Sequence, residues 1–386
     1  MKIAISKEIE FGEHRVAMAP TAVSRLVNQG LDVWVETGAG EDAFFSDADY
    51  SAVGASIIAD PARLWSEADV LLKIRPPHHR DGYPEINWLK PGATLITFLN
   101  PLGAPELIQQ LAERQVTAFS MEFIPRTSRA QSMDALSSQA SLAGYKAMLL
   151  AAAALPGIFP MMTTAAGTIP PAKVLVIGAG VAGLQAIATA RRLGAVVKAF
   201  DIRPAVKEEV QSLGANFIDI SLEEETATVD GYAKAMTQTS QECIQQILTE
   251  HVQQSDIVVT TAQVPGKKAP LIVTEGMVDG MKAGSVIVDL AAEQGGNCAY
   301  TQSGRDICQP NGVTIMGPIN LPATMSVQAS QLYAKNLLAL LKLLVKDNSL
   351  QLNFEDDIIE SACVTHAGEI RNERVQAALL VSGPSR

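Results

Sequence analysis

The sequence has little of what staples small folds or holds metals. Its four cysteines, Cys243, Cys298, Cys308 and Cys363, include no C-x-x-C pair. No disulfide framework or thiolate metal site is expected, and the thiols are read as reduced, cytosolic and mostly buried. The five histidines (His14, His78, His79, His251 and His366) fall into no H-x-x-x-H or similar spacing, which argues against a metal site. Positive charge is also short. A net charge of −11 disfavours nucleic acid and acidic lipid surfaces as partners. No apolar run is long enough to span a bilayer. Proline and glycine interrupt residues 147–160, and lysines bracket residues 337–345. The chain opens on a strand-like run at residues 2–5 without a secretory leader pattern, so a soluble chain able to dock on a membrane protein is expected. There is no internal repeat and no low-complexity tract.

What is there is apolar and long. With 386 residues and 47% apolar content, the chain exceeds one ordinary core and is expected to form two domains. The stretch that organises it is KVLVIGAGVAGLQAIATARRLGAVVKAFD, residues 173–201. A β-branched run at 174–177 leads into Gly178, Gly180 and Gly183 in G-x-G-x-x-G spacing. An alanine-rich helical stretch runs to Arg192 and stops at Gly194. A second apolar run ends at Asp201. Strand, tight turn, helix and strand closed by an acid is the dinucleotide-binding pattern. In it Gly178 permits the turn, Gly180 lets the backbone approach a pyrophosphate, and Gly183 lets helix and strand pack closely. The helix N-terminus, beginning at Val181, offers N–H groups to phosphate. Asp201 can accept both hydroxyls of an adenosine ribose, which favours NAD over NADP. Arg203 complicates that preference, because an arginine nearby could pair with a 2′-phosphate. Alternatively it is a solvated charge or stacks on adenine.

Around this unit, strands are expected at 3–5, 33–36, 70–74, 94–98 and 117–122, with helices at 21–28, 61–67 and 104–114. This is the alternation of parallel βαβ units. Pro20 and Pro61 suit first helical turns and Gly30 a C-terminal cap. Residues 76–91 read as a loop. A polar run, PRTSRAQSMDALSSQAS at 125–141, feeds a long helix at 135–155. Later strands are expected at 217–220, 257–261, 286–290 and 314–316, and residues 222–230 read as an acidic exposed loop. An apolar helix at 327–345 returns to the first domain, and the tail from Asn348 gives weak signals. The expected fold class is therefore α/β: two Rossmann-like domains with parallel sheets. Residues 1–136 plus 327–386 form the first, and 137–326 form the inserted NAD-binding domain, with nucleotide in the cleft between them.

Three segments, KEIEFGEHRVAMAP (7–20), PRTSRAQSMDALSSQ (125–139) and the VIGAGVAGLQA turn, resemble the alanine dehydrogenase and nicotinamide nucleotide transhydrogenase superfamily over nearly the whole chain. Dehydrogenases of the family hold a keto-acid with an arginine and a lysine, matched by Arg15 and Lys73. They also place a histidine and an aspartate near the reacting centre, where this chain has Asn100 and Glu293. An amide cannot titrate, so a proton donor for carbonyl chemistry is missing. On a bland reading Arg15 and Lys73 make structural or phosphate contacts.

The run 126–137 instead resembles the signature loop of the transhydrogenase NAD-binding component. The resemblance implies that Arg126, Gln131, Asp134 and Ser137 surround the nicotinamide end. Bland alternatives are a helix N-cap at Asp134 or Ser132 and a surface charge at Arg126. Gly231 and Tyr232 match a loop that closes over the nucleotide, and Gln263 lies at a strand C-terminal end where ligands bind in such sheets.

The resemblance implies NAD(H) here and NADP(H) on a partner, with direct hydride transfer between them coupled to proton translocation. The partners implied are a second copy of this chain, a membrane subunit and a beta subunit carrying the NADP domain. The chain stops at Arg386 before any spanning segment, so it is expected to be a separate piece of the alpha subunit, peripheral on the cytoplasmic face of the membrane. Two rivals stand beside this reading, an amino-acid dehydrogenase and a non-catalytic NAD-sensing protein.

Overall fold

The computed structural model describes residues 1–219, 238–264 and 266–382. The expectations at 222–230, Gly231 and Tyr232 therefore lie outside the described residues. The chain divides into two compact units, Met1–Gln139 with Pro322–Arg386, and Ala140–Leu321.

The first unit is built on an eight-stranded sheet. Its order runs Glu369–Ile370, Cys363–His366, Thr117–Ser120, Thr94–Thr97, Val70–Leu72, Lys2–Ile5, Asp32–Glu36 and Ser56–Ile58. Ile3 pairs in parallel with Val33 on one side and Val70 on the other. Alternation along the central strand sends Ile3 and Ile5 into one apolar cluster and Ala4 into another, so both faces are covered, as a parallel sheet requires. Local signals set the helices. Pro20 begins Pro20–Asn28, and Gly30 follows it at φ +80°. Asp60 caps Pro61–Glu67 by accepting from the Ala62 and Arg63 N–H groups at 3.0 and 3.3 Å.

The second unit carries a seven-stranded sheet ordered Asn216–Phe217, Val196–Phe200, Lys173–Ile177, Ile257–Thr260, Val286–Asp289, Thr314–Met316 and Asp306–Cys308. Val174 pairs in parallel with Val197 on one side and Ile257 on the other. Strand order reverses at Lys173–Ile177, which makes its C-terminal end the topological switch point where such sheets bind ligands. Val181–Arg192 crosses between the first two strands and ends before Gly194 at φ +94°.

The fold class is the one expected, with additions. Each sheet has an antiparallel edge: Cys363–His366 pairs antiparallel with both neighbours, and Asp306–Cys308 with Thr314–Met316. The weakly patterned tail thus completes the first sheet. Its strands have four and two residues, too few for period-2 alternation to register. The segment 76–91, expected as a loop, contains a small hairpin, His79–Arg80 with Tyr83–Pro84, and a 3-10 turn at Glu85–Trp88. The helix Gln238–Gln254 went unread because polar residues dominate its pattern. Residues 161–170 form a hairpin, Met162–Thr164 with Gly167–Ile169, exposed along its length. Among the described residues, no helix is long and apolar enough to cross a membrane, and no cluster of His, Cys, Asp or Glu could hold a metal ion. Cys298, Cys308 and Cys363 are free thiols, the first and last buried.

Candidate functional site

The site in the second unit starts from the glycine turn. Gly178 has φ +98°, and a Cβ built on it would lie 2.4 Å from Thr261 Oγ1, so both backbone and space call for glycine. Thr261 closes the turn from the next strand by donating its hydroxyl to the Gly178 carbonyl at 3.0 Å. Gly183 is tighter still, since its Cβ would come 1.8 Å from the Gly178 carbonyl oxygen. Gly180 differs. It is the N-cap of the helix, at φ −79°, and a Cβ there meets nothing within 4 Å. Open space beside an N-cap is what a phosphate group needs to approach the backbone. The first intrahelical bond runs from the Leu184 N–H to the Gly180 carbonyl at 2.8 Å, so the N–H groups of Val181, Ala182 and Gly183 precede it. Val181 is among the exposed large apolar residues.

Asp201, at the end of the next strand, is tied to this turn. Its Oδ2 accepts from the Ala179 N–H at 2.8 Å and from Arg203 Nη2 at 2.8 Å. Its Oδ1 accepts from the Arg203 N–H at 2.9 Å and from Arg203 Nε at 2.9 Å. Arg203 thus chelates the strand-end acid through its backbone N–H, Nε and Nη2. Gln263 follows Thr261 on an exposed segment, and its Nε2 donates to the Leu290 carbonyl at 2.7 Å.

Sequence reasoning missed the residue that shapes this rim. Asp289 is fully buried at the end of its strand. It accepts from Thr260 Oγ1 and the Ala291 N–H on one oxygen, and from Thr301 Oγ1 and the Asn297 and Cys298 N–H groups on the other. Asn297 in turn brackets Ala262, accepting from its N–H at 3.0 Å and donating to its carbonyl at 2.8 Å. The signal was legible in principle: an aspartate closing an apolar strand, followed by Gly295, Gly296 and Asn297.

In the first unit, the polar loop before Ala135–Ala154 carries the other group. Arg126 and Gln131 are exposed, while Asp134 and Ser137 are half-buried. Gln131 opens a 3-10 turn, Gln131–Met133. Asp134 caps the long helix, accepting from the Ser137 N–H at 2.9 Å and the Ser137 hydroxyl at 2.5 Å. Two anchors fix the loop. Asn336 donates to the Ser132 carbonyl at 2.9 Å. Arg129, unremarked in the sequence, pairs with Asp356 at 2.6 Å and with Asp357. Arg129 holds the Asp356 carboxyl below its usual range, and Asp356 itself caps Asp357–Ala362.

The keto-acid positions are occupied by ion pairs. Arg15 is buried and grips Glu13 through Nε at 2.7 Å and Nη2 at 2.6 Å, while Nη1 donates to Gln139 at 2.9 Å. Lys73, 1% exposed, lies 3.3 Å from Glu8 and 3.8 Å from Glu85. Burial pushes the Glu8 carboxyl above its ordinary range despite Lys73 and the Ile74 N–H. Asn100 is exposed at φ +48°, its N–H held by Glu122 at 2.8 Å. Glu293, in the second unit, is exposed and accepts from the Asn320 N–H at 2.8 Å.

Two family profiles match the chain: "Alanine dehydrogenase/PNT, N-terminal domain" over residues 4–143 and "Alanine dehydrogenase/PNT, C-terminal domain" over residues 147–373. An NAD(P) transhydrogenase subunit alpha component of Rhodospirillum rubrum is 47% identical over 375 residues, covering 96% of this chain and 97% of that one. The crystal structure of a transhydrogenase from Sinorhizobium meliloti superposes with a TM-score of 0.85 at 44% identity, covering 96% of this chain and 100% of that one. An L-alanine dehydrogenase structure superposes with a TM-score of 0.81 at 25% identity, covering 99% of each chain. The chain belongs to the alanine dehydrogenase/PNT family.

Proposed function

We propose that this chain is the NAD(H)-binding component of a proton-translocating NAD(P) transhydrogenase, acting as an oxidoreductase together with partner subunits. When NADH is bound, its C4–H bond supplies a hydride to the nicotinamide of NADP⁺ held on a beta subunit, leaving NAD⁺ and NADPH with no proton to place. This chain's residues therefore have to bind, orient and exclude water rather than titrate. Gly178, Gly180, Val181 and Gly183 form the phosphate turn. Asp201 and Arg203 face the adenosine ribose, and Gln263 lies on the same rim. Arg126, Gln131, Asp134 and Ser137 serve the nicotinamide end, with Gln131 holding the ring amide without titrating. Gly231 and Tyr232 are assigned on the family resemblance alone.

One observation carries the choice against an amino-acid dehydrogenase. Arg15 and Lys73, the cations a keto-acid would need, are neutralised by Glu13, Glu8 and Glu85, and Asn100 cannot donate a proton. A homodimer is part of the proposal. A lone two-stranded hairpin is marginal in water, and the exposed Met161, Met162 and Ile169 give 161–170 an apolar surface for a second copy to cover. Attachment to the membrane would come only through partner subunits.

The test mixes this chain with the NADP-binding partner and follows hydride exchange between NADH and an NADP⁺ analogue. Exchange that falls at least tenfold in Gln131→Asn, with NADH still bound, supports the reading. No exchange with the intact chain leaves the NAD-sensing alternative in its place.

A further inference from the structure

The carboxylate that should receive the nucleotide's ribose is already fully engaged. A carboxylate offers about four lone-pair positions. On Asp201 all four are taken: by the Ala179 N–H, the Arg203 N–H, Arg203 Nε and Arg203 Nη2, at 2.8 to 2.9 Å. Two of these donors are backbone and stay where the turn and the strand end put them. The other two belong to one guanidinium, and two is the number of hydroxyls an adenosine ribose would bring.

We propose that Arg203 is a built-in competitor for the ribose: its guanidinium fills the Asp201 positions and must swing off before the adenosine half can seat. The inference rests on reading the glycine turn as the dinucleotide site.

The geometry suits a reversible latch. Asp201 and Arg203 are two residues apart, so re-forming the pair closes almost no loop. Arg203 has ordinary backbone angles, φ −90° and ψ 110°, as N-cap of the turn Pro204–Val206, so its side chain can rotate while its N–H stays on Oδ1. Its side chain is 21% exposed against 6% for Asp201, so the guanidinium has solvent to move into and the acid does not. The latch also keeps the acid paired whenever the ribose is absent, avoiding a desolvated bare carboxylate. The expected consequence is a deliberately loosened grip and faster release, which favours a protein that must exchange its nucleotide every turnover.

The test titrates the full chain with NADH and, separately, with reduced nicotinamide mononucleotide, which lacks the adenosine half. Arg203→Ala and Arg203→Met, the second keeping the stem, are compared with the parent. If the unlatched state is a minor population, both variants bind NADH about 3- to 10-fold more tightly, while the mononucleotide is unaffected. NADH binding that is unchanged or weaker in both variants overturns the latch, as does equal tightening of both nucleotides. Asp201→Ala separates the two levels of the argument. If it leaves NADH affinity unchanged, the dinucleotide reading of the turn fails whatever the Arg203 variants do.

Discussion

Gly144 lies so close to Ala182 that a Cβ on it would stand 2.0 Å from the Ala182 carbonyl oxygen and 3.0 Å from its Cα. The long helix Ala135–Ala154 therefore rests, backbone on backbone, against the first turn of Val181–Arg192. On the proposed function that turn presents its N–H groups to phosphate, so packing at Gly144 and nucleotide binding would be linked through one peptide unit. Gly144→Ala should cost about 1–3 kcal/mol by overpacking, despite alanine's better helix propensity. It should also weaken NADH binding. A thermal melt and an NADH titration check both, and a melt at or above the parental temperature would contradict the contact.

Gly180 and Gly183 should separate stability from binding. Gly183→Ala forces a methyl toward the Gly178 carbonyl, 1.8 Å away as the backbone stands. The second unit should be destabilised by several kcal/mol or fail to fold. Gly180→Val meets no protein atom within 4 Å at its Cβ, and its φ of −79° suits any residue. Its melt should stay within about 1 kcal/mol of the parent, the usual scale for an N-cap change. Yet it fills the space where phosphate would lie, so NADH affinity should fall by more than tenfold. Equal effects of the two variants would remove the distinction between packing glycine and ligand glycine.

Glu8 gives a pH dependence whose sign can be worked out. Burial raises its folded pKa above the unfolded value near 4.5, although Lys73 and the Ile74 N–H pull the other way. The folded state then binds the proton more tightly than the unfolded one. The stabilising contribution is fully present below about 4.5 and is lost as pH rises through the raised folded value. In melts between pH 4 and pH 7, the parent should lose stability relative to Glu8→Gln as pH increases. A gap that moves the opposite way would mean that Lys73, not burial, governs this carboxyl.

How much was legible follows from distance along the chain. Gly178 and Gly183 could be read because a positive φ and a near-contact each exclude side chains, and their spacing is local. Pro20, Pro61 and Gly30 marked helix ends because those signals are local too. The Gly144–Ala182 contact left no trace, because a glycine within an alanine-rich helix looks like one more small residue. Asp289 and Asn297 form the rim of the second sheet through hydrogen bonds to Thr260, Ala262, Ala291, Cys298 and Thr301; the strand-end aspartate hints at a site, but these partners follow only from the fold. The pairing of Arg203 with Asp201 is local, yet its outcome turns on a rotamer rather than a pattern. Arg15 and Lys73 could be recognised as charges, but Lys73 meets Glu8 from another strand region, so its neutralisation depended on the fold.

That neutralisation makes the last prediction. If Arg15 and Lys73 were poised for a keto-acid, the chain with NADH, pyruvate and ammonium would turn over. With Glu13 and Glu8 each within hydrogen-bonding reach of a cation at 5% exposure or less, an incoming carboxylate would meet cations whose charge is already paired. No NADH oxidation above background is expected. Nor should the activity be unmasked by removing a glutamate. Glu13→Gln strips the charge that Arg15 and Arg75 share, and breaking such a buried pair costs about 3–5 kcal/mol, so the variant should melt early rather than acquire a substrate. Robust, saturable oxidation with pyruvate by the parent chain would show these pairs opening on demand, and with them the carbonyl chemistry that the present geometry withholds.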